Sequence, residues 1–293
     1  MGSISLPKTM KALVTPSQGA PAEVRDNVPL PEPSPTQVLV KTLYAAINPV
    51  DVFTTQFGLL VDSWPFIPGC EASGIVAKAG AEARNPLGGY FKEGDIVAGC
   101  ARPGAKGHGT FAEYFLLDAE VTVPKPGSLT AAQASSVELV KSLGADATID
   151  YKRSAEDVVE EVKRVTREEV DLAFDAVSVN NDLVTKIFTA IPSSTGRRLY
   201  TTTNDWDPAP DASLGFTTKP IELGPIGRPS AAELNSKLTS WIPVVYRLLE
   251  SGKLKAGGYS VEGEGIDGVP KAWQAQKSGK LGNKKVIAKV ADE

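Results

Sequence analysis

Residues 68–78 read Pro68-Gly69-Cys70-Glu71-Ala72-Ser73-Gly74-Ile75-Val76-Ala77-Lys78. A Pro-Gly turn opens this stretch, and the short apolar run Gly74 to Lys78 closes it as a predicted strand. The same alternation of turn and strand extends in both directions. Upstream lie Met10 to Thr15 (MKALVT) and Gln37 to Leu43 (QVLVKTL), with Pro-rich sequence between them. Downstream lie Asp95 to Ala98 (DIVA) and Thr110 to Leu117 (TFAEYFLL), punctuated by Gly88-Gly89 and Pro124-Lys125-Pro126. The first 130 residues or so therefore predict an all-β region with strands at short spacing.

The pattern changes near Leu129. Glu138 to Leu143 reads as a helix that stops at Gly144, and Ala147 to Tyr151 (ATIDY) as a strand. Ser154 to Thr166 is helical, with Ser154 as N-cap and Asp157 three residues on. Val170 to Ser178 is a mostly apolar strand, expected to be the most buried of this region. A helix at Asn181 to Ile191, a strand at Arg198 to Thr202, an irregular Pro- and Gly-rich segment up to Ser230 and a helix at Ala231 to Ser251 follow. The last strand is Lys284 to Val290. Strands alternating with helices predict a parallel α/β sheet.

Composition narrows the classes of function. Of 293 residues, 42% are hydrophobic and 23% charged, as in ordinary soluble proteins. The net charge of −4 offers no basic field to a phosphate backbone, so no nucleic-acid partner is expected. No apolar run approaches the roughly 20 residues of a membrane helix. The N-terminus shows no secretory h-region, and a cytoplasmic location is expected. Two cysteines, Cys70 and Cys100, exclude a four-cysteine zinc site, and the single histidine, His108, excludes a multi-histidine one.

Four short motifs in order, Asn48-Pro49-Val50-Asp51, Pro68 to Gly74, Gly94-Asp95-Ile96-Val97-Ala98-Gly99 and Gly109-Thr110-Phe111-Ala112-Glu113-Tyr114, resemble the medium-chain dehydrogenase/reductases. In the second half, Glu138 to Tyr151, Phe174-Asp175-Ala176-Val177 and Leu223 to Arg228 look like the fungal branch with trans-acting enoyl reductases of secondary metabolism. The resemblance implies an α/β fold: a GroES-like β domain (1–134 and 241–293) plus a Rossmann-type α/β domain (135–240). It implies NADP as cofactor and a small enoyl or quinone-like substrate, with a polyketide synthase as a possible partner.

Two departures qualify it. Zinc-dependent relatives place a Cys where this chain has Asn48 and a His where it has Cys70, so the resemblance points to the zinc-independent quinone and enoyl reductases. The plainer reading of Cys70 is a small, buried thiol. Thr130 to Ala134 also runs almost straight into Val137-Glu138-Leu139. The strand, glycine-rich turn and helix that the family places between them are missing, a βαβ core of roughly 30 residues or more. That core carries the phosphate-binding turn, so the Rossmann domain is expected to be truncated and NADP binding weak or lost.

By resemblance, Asn48 and Asp51 line the catalytic end. Asn48 could stabilise a developing enolate; the alternative is a loop amide holding backbone, and for Asp51 a turn or network residue. The place where some enoyl reductases carry a Tyr holds Leu59. Tyr151 and Lys152 match a 2′-phosphate contact, Asp175 and Val177 end a strand near the cofactor, and Gly224, Gly227 and Arg228 form a loop over it. Core-strand and surface-loop roles remain the plainer alternatives.

Two glycine-rich strings stand outside the resemblance. Gly104 to Gly109 precedes a strand, so it reads as a turn with His108 exposed. Gly263-Glu264-Gly265-Ile266-Asp267-Gly268 matches the dinucleotide fingerprint in spacing, but Glu264 and Asp267 would face a pyrophosphate. Adjacent parallel strands at Tyr259–Val261 and Lys284–Val290 would make the fingerprint real. The function expected is an NADPH-dependent, zinc-free reductase; the other reading is a degenerate, non-catalytic family member that acts as a binding partner or has no function. Metal analysis of the purified protein should find no zinc, and one zinc per chain would contradict the departure at Asn48.

Overall fold

The structure, a computed structural model, describes residues 6–131, 147, 149, 153–167, 169–176, 180–193, 195–204, 207–210, 212–222, 224–281 and 284–292. It divides into two compact units, Met1–Leu139 with Gly224–Glu293, and Val140–Leu223. The chain thus returns to its first unit at Gly224, earlier than the expected residue 241. Among the described residues, no helix is long and apolar enough to cross a membrane.

The first unit is built on strand β3 (Gln37–Ala46), whose residues are almost all buried. Its neighbours before it, β1 (Thr9–Val14) and β2 (Glu23–Pro29), pair with each other in a two-stranded sheet. β3 pairs along its length with β4 (Glu71–Ala79). On its other side β6 (Tyr114–Asp118) takes Gln37 to Lys41, and the C-terminal β12 (Lys285–Lys289) takes Tyr44 to Ala46. β5 (Ile96–Cys100) and the two-residue β7 (Val123–Pro124) extend the sheet beyond β4. β11 (Tyr259–Glu264) extends it beyond β12, as a parallel neighbour.

One apolar cluster, including Val38, Val40, Val76, Val97, Phe115 and Leu117, fills one part of this unit. A second unites Leu13, Ile47, Phe111, Ile266 and Trp273. Phe111 meets Trp273 edge-on at 5.6 Å between ring centroids. A sheet buried on both faces gives runs such as QVLV rather than strict alternation.

Three expectations for this unit are corrected. The region is not all-β, because Pro49–Phe57 forms helix α1. Pro49 in the first turn lacks an N–H that a helix leaves unpaired there anyway, and Gly58 ends the helix in the left-handed conformation. The strand expected from Thr110 starts only at Tyr114. β2 was not foreseen; its polar sequence Glu-Val-Arg-Asp-Asn-Val-Pro lacks the apolar run used to find strands.

The second unit contains α2 (Ala155–Thr166), β8 (Leu172–Asp175), α3 (Asn181–Ala190), β9 (Leu199–Thr202) and β10 (Thr217–Pro220). Its strands form a three-stranded parallel sheet in the order β10-β9-β8. Ser154 caps α2 as expected, its hydroxyl accepting the Asp157 N–H at 3.1 Å. The expected helix at Glu138 to Leu143 and most of strand ATIDY lie outside the described residues. β10 was unforeseen within the Pro- and Gly-rich segment.

The expectation that Val170 to Ser178 holds the most buried strand fails. Leu172 and Phe174 of β8 are 72% and 63% exposed, whereas Tyr200 of β9 is fully buried with Val184, Phe188 and Phe216. β8 has one described ladder, to β9, and only alternate side chains turn inward. The remaining elements belong to the first unit: α4 (Ala232–Glu250), and α5 (Val269–Lys277) between β11 and β12.

Gly74 shows how tightly β3 and β4 are joined. A Cβ there would lie 2.1 Å from the Lys41 carbonyl oxygen. Gly74→Ala should cost about 1–3 kcal/mol of stability, the usual cost of forcing atoms into a packed core. Urea unfolding of the variant checks this; an unchanged midpoint would count against the register described.

Candidate functional site

Three segments distant in sequence meet at the start of α1. Asn48 precedes the helix, Glu71 opens β4, and Lys285 opens β12. The Lys285 ammonium donates to Asn48 Oδ1 at 2.5 Å and pairs with Glu71 Oε2 at 2.7 Å. Asn48 Nδ2 donates to Glu71 Oε2 at 3.0 Å and, over a longer 3.4 Å, to the Ala46 carbonyl. Both ends of the Asn48 amide are therefore engaged by protein groups. Two of the three Lys285 donors are accounted for, and its side chain keeps 24% of its surface exposed.

Asp51 lies beneath this surface. It is 1% exposed, and its carboxylate accepts the Asn48 backbone N–H at 2.7 Å. Its carbonyl takes the hydroxyls of Thr54 and Thr55. Burial pushes its pKa up from 3.8 to about 7; the Asn48 N–H and nearby Lys285 pull the other way, and Glu71 adds to the rise. The buried Asp51 carboxylate holds the helix start and Asn48, the turn or network role that the sequence offered as its alternative.

Cys70 and Cys100 adjoin the same cluster. Cys70 is buried, as its plainer reading held, and its thiol is pushed well up, first by a hydrogen bond with Cys100 and then by burial and the nearby Asp51. Among the described residues, no group of three or more His, Cys, Asp or Glu side chains is placed to hold a metal. Neither Glu71 nor Lys285 was singled out from the sequence. Lys285 in particular is remote from Asn48 along the chain, and only the β12–β3 ladder brings it there.

His108 corrects another expectation, since it is buried rather than exposed. Gln37 Oε1 accepts the Ser34 N–H, which orients the amide so that Nε2 faces both His108 Nε2, at 3.2 Å, and Asp118 Oδ1, at 3.1 Å. His108 Nε2 is thus an acceptor, and protonating it would set two donors face to face. Burial is the main cause that lowers its pKa to about 4; Asp118 opposes and Arg102 adds to the fall.

Of the expected cofactor residues, four lie among the described residues. Tyr151, Lys152 and Val177 lie outside the described residues. Asp175 is buried and accepts the Asn180 backbone N–H and side-chain amide, both at 3.0 Å. Gly227 donates its N–H to Asn235 Oδ1. Arg228 donates to Asp62 Oδ1 and to the carbonyls of Leu60, Pro103 and Gly224. This loop is clamped to the loop after α1. Gly224 belongs to the same clamp: a Cβ on it would meet Leu60 at 2.8 Å.

The Gly263 to Gly268 string passes the topological criterion, for β11 and β12 are adjacent and parallel. Two of its glycines, Gly263 and Gly268, nonetheless serve packing. A Cβ on Gly263 would lie 2.1 Å from the Gly268 carbonyl, and the Gly265 and Gly268 N–H groups donate to Lys289 O and Gly265 O. Asp267 is tied to Lys11 at 2.6 Å. The turn is closed on protein atoms and lined by acid, so the described residues do not fit a dinucleotide pyrophosphate there.

Comparisons with known proteins agree with the fold. The alcohol dehydrogenase GroES-like domain matches residues 34–127. A trans-enoyl reductase of Aspergillus terreus, pgmF, is 28% identical, with 98% of each chain covered. A chloroplastic NADPH-dependent alkenal/one oxidoreductase of Arabidopsis thaliana is 34% identical over 46% of this chain, which spans only about a third (36%) of that protein's length. Among solved structures, an alcohol dehydrogenase superfamily protein from Novosphingobium aromaticivorans aligns with a TM-score of 0.76 at 20% identity, covering 97% of this chain and all of that one.

The raised Asp51 pKa carries a sign for stability. The folded state holds this proton to higher pH than the unfolded chain does. Asp51 therefore favours the fold most at low pH, and that contribution falls away as pH rises from about 4 to about 7. The full change is on the order of 4 kcal/mol. Asp51→Asn keeps an acceptor for the Asn48 N–H and removes the titration. Its stability relative to the parent should rise between pH 5 and pH 8, measured by urea unfolding; a difference independent of pH would refute the assignment.

Proposed function

We propose that this chain, which belongs to the medium-chain dehydrogenase/reductase family, is a metal-independent, NADPH-linked reductase of enoyl or quinone-like substrates. The observation that carries this reading is the Asn48–Glu71–Lys285 cluster. At the place where zinc-dependent relatives hold their metal, this domain sets an ammonium. A conjugated carbonyl gains its electrophilic help there from the remaining Lys285 donor rather than from a Lewis acid. Asn48, read from the sequence as the donor to substrate, holds Lys285 and Glu71 in place.

NADPH supplies the electrons in such chemistry, and the protein supplies position and charge. Support for that cofactor comes from the relatives, one of which is named as NADPH-dependent. The described residues offer no phosphate cradle, so we derive no hydride step and propose that binding is weak. The cytoplasm, secondary metabolism and a polyketide synthase partner belong to the same proposal, through the likeness to a trans-enoyl reductase.

A second reading, a family member without catalytic competence that acts by binding, has an observation of its own. The alignment with the Aspergillus reductase runs over 359 positions, whereas this chain has 293 residues. Positions of that relative therefore lack a counterpart here, and this reading assigns them to a shortened dinucleotide-binding region.

Fluorescence titration with NADPH, followed by NADPH consumption in the presence of an α,β-unsaturated thioester or a quinone, tests the two readings. The reductase reading expects half-saturation above about 100 µM, or about 5.5 kcal/mol of binding, with slow turnover that Lys285→Met abolishes. Saturable binding without turnover on either substrate class would sink the reductase reading in favour of the second. Binding in the low micromolar range would refute the weak-binding part.

A further inference from the structure

We propose that a pocket between α1, α5 and the β1–β2 connection binds a small aromatic carboxylate. All its walls belong to the first unit. Gln56 comes from the last turn of α1, and Pro21 from the connection. Pro270, Trp273, Gln274 and Lys277 come from α5, where this spacing of three and four residues puts them on one face. The cavity measures about 240 Å³. Pockets for drug-sized ligands run from about 300 to 1,000 Å³, so this one suits a single ring with one polar group.

The lining selects the ligand's chemistry. Trp273, Pro21 and Pro270 offer apolar surface to a flat ring. The polar groups favour one sign of charge. Lys277 brings an ammonium, Gln56 and Gln274 bring amide N–H groups, and no carboxylate lines the cavity. The Lys277 ammonium rests over the Trp273 ring, 5.6 Å from its centroid, with no ion-pair partner among the described residues. Glu23, which follows the connection, is occupied by Arg25. The Thr55 carbonyl, at the negative end of α1, already accepts the Gly19 N–H at 2.8 Å. A carboxylate only accepts hydrogen bonds, and its single charge matches the single cation. A doubly charged phosphate would find half its charge unmatched.

The walls are fixed before any ligand arrives. The Gly19 to Thr55 hydrogen bond holds the connection against α1. Trp273 is buried edge-on to Phe111, which anchors α5 in the apolar cluster beneath. Little ordering entropy then opposes binding. The pocket is also separate from the Asn48–Glu71–Lys285 cluster. Asn48 and Gln56 stand at opposite ends of α1, about 12 Å apart along its axis. The proposal therefore does not depend on the reductase reading, on a cofactor or on turnover.

The test titrates the intact chain with sodium phenylacetate and follows assigned proton–nitrogen NMR signals of the Gln56 and Gln274 side-chain amides and the Trp273 indole. These signals should move together and saturate with a Kd of about 1 mM, a fair affinity for a ligand of this size. Phenylacetamide, the same ring without the charge, should bind the parent chain about fivefold more weakly, as should phenylacetate the Lys277→Met variant. Ala22→Phe should fill the cavity and abolish the shifts. The comparison of acid with amide uses the parent chain alone, so it stands even where a variant fails to fold. No saturation by about 20 mM phenylacetate would overturn the proposal. So would shifts centred on Asn48 and Lys285 instead, equal affinity for acid and amide, or a folded Lys277→Met chain that binds as the parent does.

Discussion

Strand β3 is bordered on one side by β4 and on the other by two strands far apart in the sequence. β6 covers its first half and β12 its second. That shared edge is the constraint on which the candidate site depends. It carries Lys285 from near the C-terminus to Asn48 and Glu71. Without the ammonium, Glu71 and the buried Asp51 would leave two carboxylates in one neighbourhood with no cation between them, and each disfavours the other's charge. The fold therefore builds its site by closing the chain back on itself. The C-terminal strand is a structural member of the GroES-like sheet and also the source of its cation.

This explains what could be read from the sequence and what could not. The short motifs between Asn48 and Tyr114 identify the β domain because each combines a turn residue with a nearby strand, and such local signals survive without context. Helix α1 did not declare itself. Its sequence, Pro-Val-Asp-Val-Phe-Thr-Thr-Gln-Phe, is rich in β-branched and aromatic residues of modest helix propensity. What starts it is the Asp51 carboxylate turning back to the Asn48 N–H, a spacing of three residues that can be seen in the sequence when it is sought. Lys285 left no such trace. A lysine opening an apolar strand looks like any strand end, and only the β12–β3 pairing gives it partners.

Misreadings in the second unit and at the glycine strings share a physical cause. An apolar run such as Leu172 to Asp175 shows what a strand could bury, not what lies against it, and β8 leaves Leu172 and Phe174 open. Gly263 to Gly268 has the spacing and even the parallel strands of a dinucleotide turn. Spacing does not report which backbone N–H groups remain available. Here Gly265 and Gly268 give theirs to protein carbonyls; Gly263 and Gly268 approach each other too closely for a Cβ, and Gly265 takes a positive φ. The same motif serves packing in one setting and phosphate in another, and the hydrogen-bond partners decide between them.

Two buried titrating groups of the first unit, Asp51 and His108, act in opposition on the acid side. His108 has a folded pKa of about 4, below its ordinary 6.5, so the unfolded chain binds the proton more readily. Its burial therefore weakens the fold progressively as pH falls from 6.5 to 4, by about 3 kcal/mol. Asp51, with its folded pKa near 7, strengthens the fold over nearly the same interval by a comparable amount. The contributions offset each other, so the two groups together leave stability almost level across a span where each alone would tilt it. The orphaned His108 Nδ1 and the buried Asp51 carboxylate occupy separate hydrogen-bond networks, one around Gln37 and Asp118, the other at the start of α1. Among the described residues no hydrogen bond joins the two networks, and so removing either group exposes the slope that the other imposes.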